Sequence, residues 1–200
     1  PVLAAGMVGS RQGWREVGYV DTPAGIDALA AGIVDVRSAD GRRVGIIPGV
    51  RDALSVDVMR GEETQVVGAL ALRPELAGHV RLLLPGTHSK WIDVRDGRIV
   101  RLATMMTGEL YAVLREHSIL GAGLPGATGS ALDADAFDAG VRAAREIAAA
   151  GALTKLFSAR ALMLDGRLGP GAVPDYLSGL LIGEELRAGL ASGWLRGDAP

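Results

Sequence analysis

Two adjacent glutamates at the start of a predicted helix are the residues best suited to chemistry. Glu62 and Glu63 follow Gly61, and apolar residues then recur at roughly helical spacing as far as Leu72, which predicts a helix that begins at the acid pair. The helix dipole stabilises ionised carboxylates in an exposed first turn by about 0.3–1 kcal/mol. A carboxylate held there can accept a proton from a substrate hydroxyl. The alternative is that the two acids only stabilise the helix.

A second polar stretch, PGTHSK at 85–90, lies between two predicted strands. The apolar run Val80–Leu84 predicts a buried strand, and Asp96-Gly97 between two alternating runs predicts a later hairpin. The stretch is therefore a tight connection between strands, where successive backbone N–H groups can surround an anion. Gly86 allows close backbone approach. Two hydroxyls and one positive charge add to the site, from Thr87, Ser89 and Lys90. An ordinary polar turn is the alternative.

A third polar stretch is the loop GSRQGW at 9–14. Apolar residues within 2–8 predict a core strand that delivers this loop at its end, where α/β proteins place ligands. Arg11 offers a planar guanidinium that suits a carboxylate, Gln12 can donate and accept hydrogen bonds, and Trp14 offers a flat apolar wall. The alternative is a Gly-bounded turn with a solvated arginine.

The motifs AGMVGSRQGW, DVMRGEETQ and PGTHSKW occur in this order and together closely resemble the 2-dehydro-3-deoxygalactonokinase family of the sugar kinase, actin and Hsp70-like superfamily. The resemblance runs from Gly6 to at least Leu186. It implies an α/β, ribonuclease H-like (actin-like ATPase) fold with two lobes, present in part. Residues 1–50 would end the N-terminal lobe, with its sugar-binding loops. Residues 51–200 would form the second lobe, with the catalytic helix start and the phosphate hairpin but without the adenosine segment.

The activity that the resemblance implies is ATP-dependent phosphorylation of 2-dehydro-3-deoxy-D-galactonate to its 6-phosphate, in galactonate catabolism and with Mg²⁺ as cofactor. Glu62 or Glu63 would be the general base, and Glu62 fits the superfamily pattern slightly better. The early loop would contact the sugar acid through Ser10, Arg11, Gln12 and Trp14. The hairpin would hold the nucleotide phosphates through Gly86, Thr87, His88, Ser89 and Lys90. The implied partners are the sugar acid and ATP, and a homodimer is left open.

Two other functions remain as alternatives. A kinase for a different keto-deoxy sugar acid would use the same residues, and the sequence does not separate the two substrates. A non-catalytic sugar-acid-binding module descended from such a kinase would bind its ligand without turning over ATP. The intact set Glu62, Glu63, Thr87 and Lys90 argues against that module.

Composition excludes several further classes of function. The 200 residues carry a net charge of −2 and are 48% hydrophobic, which predicts one or two compact domains with a sizeable core. This charge balance gives no basic surface for nucleic acid or membranes. No apolar run approaches the ~18–20 residues that span a bilayer. The chain has no cysteine, which excludes disulfides and suits a reducing cytoplasm.

Two cofactor-related patterns are not supported. The three histidines lack carboxylates at metal-site spacing, so we expect no metal site built by the protein alone. The segment Gly121–Gly126 formally matches G-x-G-x-x-G. A predicted helix precedes it and Pro125 interrupts it, so a dinucleotide-binding turn is not expected.

Both ends of the chain are expected to be cut. The superfamily pattern includes an N-terminal D-x-G-[TS]-type phosphate loop and a C-terminal Gly-rich adenosine segment, and the chain, which starts without Met, contains neither. The opening PVLAAG also lacks the charged region of a signal peptide. We therefore expect a fragment of a roughly 300-residue kinase. Such a fragment should bind ATP poorly by itself.

The remaining elements must position these motifs. Ile33–Arg37 and Arg42–Ile47 flank a polar turn and predict another hairpin. Residues 22–32 predict a short helix, opened by Thr22 with Pro23 at its first position, or an irregular loop.

The second half of the chain is predicted to be helical. Helices are expected within 109–117, 135–150, 151–164 and 175–191. Gly179 and Gly183 on the last helix allow close approach, and a neighbouring helix is favoured over a nucleotide.

Overall fold

A computed structural model of the chain describes residues 2–124, 131–147 and 150–195, and it has the predicted mixed α/β structure. The chain divides into two compact units. The described residues of the first unit lie within 1–85 and 89–105, and those of the second lie within 86–88 and 106–196. The two lobes predicted from the resemblance, 1–50 and 51–200, are parts of the whole kinase fold. The two units do not test this division, which stays a prediction.

The strands of the described residues all lie in the first unit, where they form three sheets. They are β1 (Val2–Ala4), β2 (Tyr19–Asp21), β3 (Val34–Arg37), β4 (Arg43–Ile46), β5 (Gly49–Asp52), β6 (Asp57–Met59), β7 (His79–Leu84), β8 (Ser89–Arg95) and β9 (Arg98–Met105). The sheet orders are β1-β4-β3, β2-β5-β6 and β7-β8-β9. Strand β1 runs parallel to β4 and β2 runs parallel to β5, and the other neighbours are antiparallel.

The predicted hairpins are confirmed. In the turn between β8 and β9, Asp96 has φ 48° and Gly97 has φ 70°, the left-handed pair that a two-residue hairpin turn requires. Strand β8 has a paired neighbour on each edge. Its Ile92 and Val94 are fully buried in the core of the unit. The two strands that flank the PGTHSK connection, β7 and β8, are therefore paired with each other from the pair His79 and Arg95 to the pair Leu84 and Lys90.

The first strand is not the predicted core strand. Strand β1 ends at Ala4, and Gly6–Gly9 form a 3-10 helix. Leu3 is 60% exposed and Met7 is 65% exposed. Among the described residues β1 pairs only with β4. A strand with one neighbour keeps one edge of unpaired backbone N–H and C=O groups, and the side chains of Val2 and Leu3 are also exposed.

Two helices complete the first unit, α1 (Ile26–Ala31) and α2 (Glu62–Leu72). Helix α2 begins at the acid pair, as predicted. Helix α1 does not begin at Thr22, because the N–H of Thr22 donates to the carbonyl of Arg51 at 2.9 Å. This bond continues the pairing of β2 with β5, so the chain can turn into a helix only after it.

The second unit is helical, as predicted. Its α-helices in the described residues are α3 (Thr107–His117), α4 (Ala134–Arg145), α5 (Ser158–Leu164) and α6 (Val173–Ala191). Helix α5 starts later than expected because Ala152–Thr154 form a separate 3-10 turn. Helix α3 precedes Gly121, as expected for a segment that is not a dinucleotide-binding turn, whereas Pro125 and Gly126 lie outside the described residues.

Glycines allow α4 and α6 to pack at backbone distance. A Cβ atom on Gly179 would overlap the carbonyl of Phe137, and one on Gly140 would overlap the carbonyl of Tyr176. A Cβ atom on Gly183 would lie 2.7 Å from the Cβ of Ala144. The neighbour that approaches Gly179 and Gly183 is therefore a helix, which confirms the prediction.

The Gly179→Ala variant is expected to destabilise the protein. Replacing glycine by alanine inside a helix stabilises the helix by about 1 kcal/mol. The overlap with Phe137 instead forces the helices apart, which costs about 1–3 kcal/mol or more. Gly68→Ala in α2 is the matched control, since a Cβ atom there has no neighbour within 4 Å. Urea denaturation should show a lower midpoint for Gly179→Ala and a higher one for Gly68→Ala. An equal rise in the urea midpoint of both variants would contradict the close packing of α4 and α6.

Candidate active site

The turn that leads from β6 into α2 positions the acid pair. Gly61 has φ 111°, which L side chains rarely adopt, and a Cβ atom there would lie 3.3 Å from the Cα of Gly6. Glycine is thus required both by conformation and by space. The sharp turn places Glu62 and Glu63 in the first turn of α2.

Glu63 is the buried member of the pair, with 0% of its surface exposed. One carboxylate oxygen accepts the N–H of Gly61 at 2.6 Å, and the other accepts the hydroxyl of Thr64 at 3.3 Å. Burial raises the pKa of Glu63 and outweighs these hydrogen bonds, which lower it. A site without water disfavours the charged form of a carboxyl group.

Glu62 is half-buried and remains the more accessible acid. Its carboxylate accepts the N–H of Arg60 at 3.1 Å. Each glutamate therefore satisfies a backbone donor that precedes the helix, which is the structural role considered as the alternative. A carboxylate has about four acceptor positions, so Glu62 keeps the capacity to accept a further proton or hydrogen bond.

The predicted sugar-binding loop is an exposed loop with a closed neck. The N–H of Val17 donates to the carbonyl of Gly9 at 3.0 Å, and the N–H of Gly13 donates to the carbonyl of Ser10 at 2.9 Å. A Cβ atom on Gly13 would overlap two backbone oxygens of the segment before the loop. The backbone of the loop is therefore compact.

The side chains predicted to contact the sugar acid fall into two groups. Arg11, Gln12 and Trp14 are exposed, and Trp14 is 52% exposed. In the described part of the chain the Arg11 guanidinium has no hydrogen bond or ion pair, which leaves it available to an anion. The hydroxyl of Ser10 is instead buried, and it has no partner among the described residues.

The loop and the helix start lie side by side in the first unit. A Cβ atom on Gly61 would lie 3.3 Å from the Cα of Gly6, and a Cβ atom on Gly9 would lie 3.0 Å from Nη1 of Arg60. The structure thus brings together two motifs that are about fifty residues apart in the sequence. Sequence reasoning did not single out Arg60 within DVMRGEETQ. No local pattern indicates that its side chain lies beside Gly9.

The tip of the predicted phosphate hairpin is exposed and belongs to the second unit. Gly86, Thr87 and His88 connect β7 to β8. The carbonyl of Thr87 accepts the N–H of Glu109 at 2.9 Å, and the ring of His88 hydrogen-bonds the Glu109 carboxylate. These contacts attach the tip to the first turn of α3.

The last two residues of the hairpin motif are buried in the first unit. Lys90 is 7% exposed, and its ammonium donates to the carbonyl of Val58 at 2.8 Å and to the hydroxyl of Thr104 at 2.7 Å. That hydroxyl in turn donates to Asp57 at 2.7 Å. Ser89 is also buried. Lys90 therefore supports β6, the strand before the acid pair, and its phosphate role stays a prediction.

Neither a metal-binding cluster nor a membrane-spanning helix is found in the described parts of the chain. No group of three or more metal-ligating side chains occurs in 2–124, 131–147 and 150–195. In the same ranges no helix combines the length and apolar character needed to cross a bilayer.

Comparisons with known proteins agree with this architecture. The chain is 42% identical over 188 residues to the 2-dehydro-3-deoxygalactonokinase of Escherichia coli (strain K12), covering 93% of this chain and 60% of that protein. It is 40% identical over 193 residues to a probable 2-dehydro-3-deoxygalactonokinase of Rhizobium meliloti (strain 1021), covering 96% and 62%. The chain thus spans about three fifths of the length of these curated relatives.

A solved structure defines the class of the fold. The crystal structure of a candidate 2-dehydro-3-deoxygalactonokinase from Sinorhizobium meliloti matches with a TM-score of 0.84 at 40% identity, over 96% of this chain and 62% of that chain. The chain therefore shares the α/β fold of this structure. The model of the 2-keto-3-deoxy-galactonokinase family matches residues 1–197, and the chain belongs to this family.

Proposed function

We propose that the chain contributes to the active site of an ATP-dependent kinase that phosphorylates 2-dehydro-3-deoxy-D-galactonate on its terminal hydroxyl, giving the 6-phosphate. The proximity of the loop's base to the turn before α2 carries this proposal, because Gly9 lies beside Arg60 and Gly6 lies beside Gly61, next to the candidate base. Family membership supplies the substrate class. The relatives are longer than the chain, so the activity of the whole enzyme is part of the proposal.

The loop would bind the sugar acid. Arg11 would pair with the C1 carboxylate, because a planar anion is best held by a planar guanidinium. Gln12 would bond sugar hydroxyls and Trp14 would cover an apolar face of the sugar. Ser10 lies deeper in the neck of the loop and would contact only a ligand that reaches it.

Glu62 would serve as the general base, with Glu63 as the other candidate. The terminal hydroxyl oxygen would attack the γ-phosphorus while its proton passes to the carboxylate. The bond from the γ-phosphorus to the bridging oxygen would break and release ADP. Phosphoryl transfer is mostly positioning and charge stabilisation, so an acid on a rigid helix start suits the task.

The hairpin would hold the nucleotide phosphates mainly through its backbone. Gly86, Thr87 and His88 are exposed, and their N–H groups and the Thr87 hydroxyl would bond the anion. The hydroxyl of Ser89 and the charge of Lys90 would act from the buried end of the motif. Mg²⁺ would be held chiefly by the ATP phosphates, as is usual for this ion.

The remaining features of the proposal concern the whole enzyme. It would have the ribonuclease H-like, two-lobed architecture, with residues 1–50 in the first lobe and 51–200 in the second. The absence of cysteine supports a cytoplasmic location. A homodimer, left open by the sequence, is not needed for any step.

Arg11→Ala should raise the KM for the sugar acid by about one to two decades, because a hydrogen bond to a charged group contributes about 1.5–3 kcal/mol. The KM for ATP should not change. Steady-state kinetics of the full-length protein measures both values. Arg42→Ala, which removes an exposed arginine paired with Asp40, is the matched control. An equal loss toward an uncharged sugar analogue would contradict the pairing with the carboxylate.

The proposed function is tested by ADP release from the full-length protein with a panel of sugar acids and Mg·ATP. Highest kcat/KM with 2-dehydro-3-deoxy-D-galactonate supports it. A clear preference for another acid would favour the alternative of a kinase for a different keto-deoxy sugar acid. Thermal stabilisation by a sugar acid without any ADP release would favour the non-catalytic module.

A further inference from the structure

The guanidinium of Arg60 is packed at the junction of the loop and α2. Its Nη2 donates to the carbonyl of Val17 at 2.7 Å and to that of Gly18 at 3.3 Å. Its central carbon lies 4.4 Å from the centre of the Tyr19 ring, a stacked cation–π geometry. Its Nη1 fills the space beside Gly9. One side chain therefore contacts both ends of the neck that closes the loop.

The backbone of Arg60 joins this neck to the acid pair. Its N–H donates to the carboxylate of Glu62. The next residue, Gly61, lies beside Gly6, whose Cα would be 3.3 Å from a Cβ at position 61, and it donates its own N–H to Glu63. Arg60 is therefore the residue through which the position of the loop and the position of the carboxylates depend on each other.

The energetics of Arg60 do not indicate a purely stabilising role. Its Nε and Nη1 are buried and have no acceptor among the described residues. A buried donor without a partner lowers stability. Arg60→Met removes these two unpaired donors together with the bonds to Val17 and Gly18, so the Tm of each variant is measured beside its kinetics.

We propose that Arg60 is a positioning residue that fixes the sugar-binding loop relative to Glu62 and thereby sets the affinity for the sugar acid. This inference rests on the proposed function. Arg60 acts through the loop and does not touch the substrate, because its free nitrogens are buried. Lysine cannot replace it, since one ammonium on a flexible stem does not provide the planar fork or the same stacking on Tyr19.

The experiment compares Arg60→Met, Arg60→Lys and the control Arg51→Met in the full-length protein. Arg51 forms an exposed ion pair with Asp21 on the neighbouring strand, and such pairs contribute little to stability. Both Arg60 variants should raise the KM for the sugar acid about tenfold to hundredfold and lower kcat, because small displacements of a reactive geometry are costly. The KM for ATP should stay within about twofold of wild type, since the loop does not contact the nucleotide in this proposal.

A second readout does not depend on catalysis. Arg11 and Arg15 are exposed in the loop, so trypsin should cut there faster in both Arg60 variants than in wild type or Arg51→Met. Unchanged cleavage, or an unchanged KM for the sugar acid, would overturn the positioning role. Parallel increases in both KM values with a large fall in Tm would indicate general damage and would also overturn it. If wild type phosphorylates no sugar acid, the proposed function fails, whereas loop cleavage still reports whether Arg60 holds the loop.

Discussion

The Glu62→Gln variant of the full-length protein is expected to lose about two to four orders of magnitude in kcat, the usual contribution of a general base. The amide keeps the size of the side chain and can still accept the N–H of Arg60, so the fold and the KM for the sugar acid should change little. Single-turnover kinetics at saturating sugar acid and ATP measures the chemical step directly.

Glu63→Gln is the matched partner of this variant. Its carboxylate is buried and engaged with Gly61 and Thr64, so we expect a much smaller loss in kcat. The reverse order of effects would assign the base to Glu63. If both variants keep turnover within a few-fold of wild type, the acid pair has only a structural role.

The two variants should also differ in the pH dependence of stability. Burial raises the pKa of Glu63 above its ordinary value of 4.5, so the folded state binds this proton more tightly than the unfolded state. The stability that the protonated Glu63 contributes is complete below its ordinary pKa. It is lost as pH rises through the raised pKa of the folded state. Over this pH range, Tm should therefore fall less with rising pH in Glu63→Gln than in wild type or Glu62→Gln.

Gly86→Val is expected to raise the KM for ATP by about two decades or more with little effect on the KM for the sugar acid. The variant would lose close contact with the phosphates, and charge-assisted hydrogen bonds contribute about 1.5–3 kcal/mol each. The surroundings of Gly86 leave room for a Cβ atom. The nearest atom to a Cβ at this position is the carbonyl oxygen of His88 at 3.9 Å, and the φ of Gly86 lies outside the left-handed region.

Gly169→Val is the control for this prediction. It makes the same chemical change at a glycine with φ −65°, where a Cβ atom would have no neighbour within 4 Å. Isothermal titration with Mg·ATP should show weaker binding for Gly86→Val and wild-type binding for Gly169→Val. Unchanged nucleotide affinity in a folded Gly86→Val protein would remove the hairpin tip from the nucleotide site.

Local patterns were sufficient to predict most elements of the fold. The Asp96-Gly97 turn, the β3–β4 hairpin and the start of α2 at Glu62 all follow from residues that are close together in the sequence. The start of α1 was mispredicted because Thr22 is held by the distant Arg51. The first strand was mispredicted because apolar composition alone does not indicate whether other elements pack on the faces of a strand.

The sequence by itself determined the three motifs, their order and their resemblance to one kinase family, because each motif is a short run whose residue types are directly visible. Only the tertiary structure decided which glutamate is buried, that the ammonium of Lys90 bonds Val58, and that Arg60 holds the neck of the loop. Burial and long-range hydrogen bonds depend on residues brought together by folding. The candidate site is therefore visible in the sequence as separate pieces, and the fold decides which of them meet.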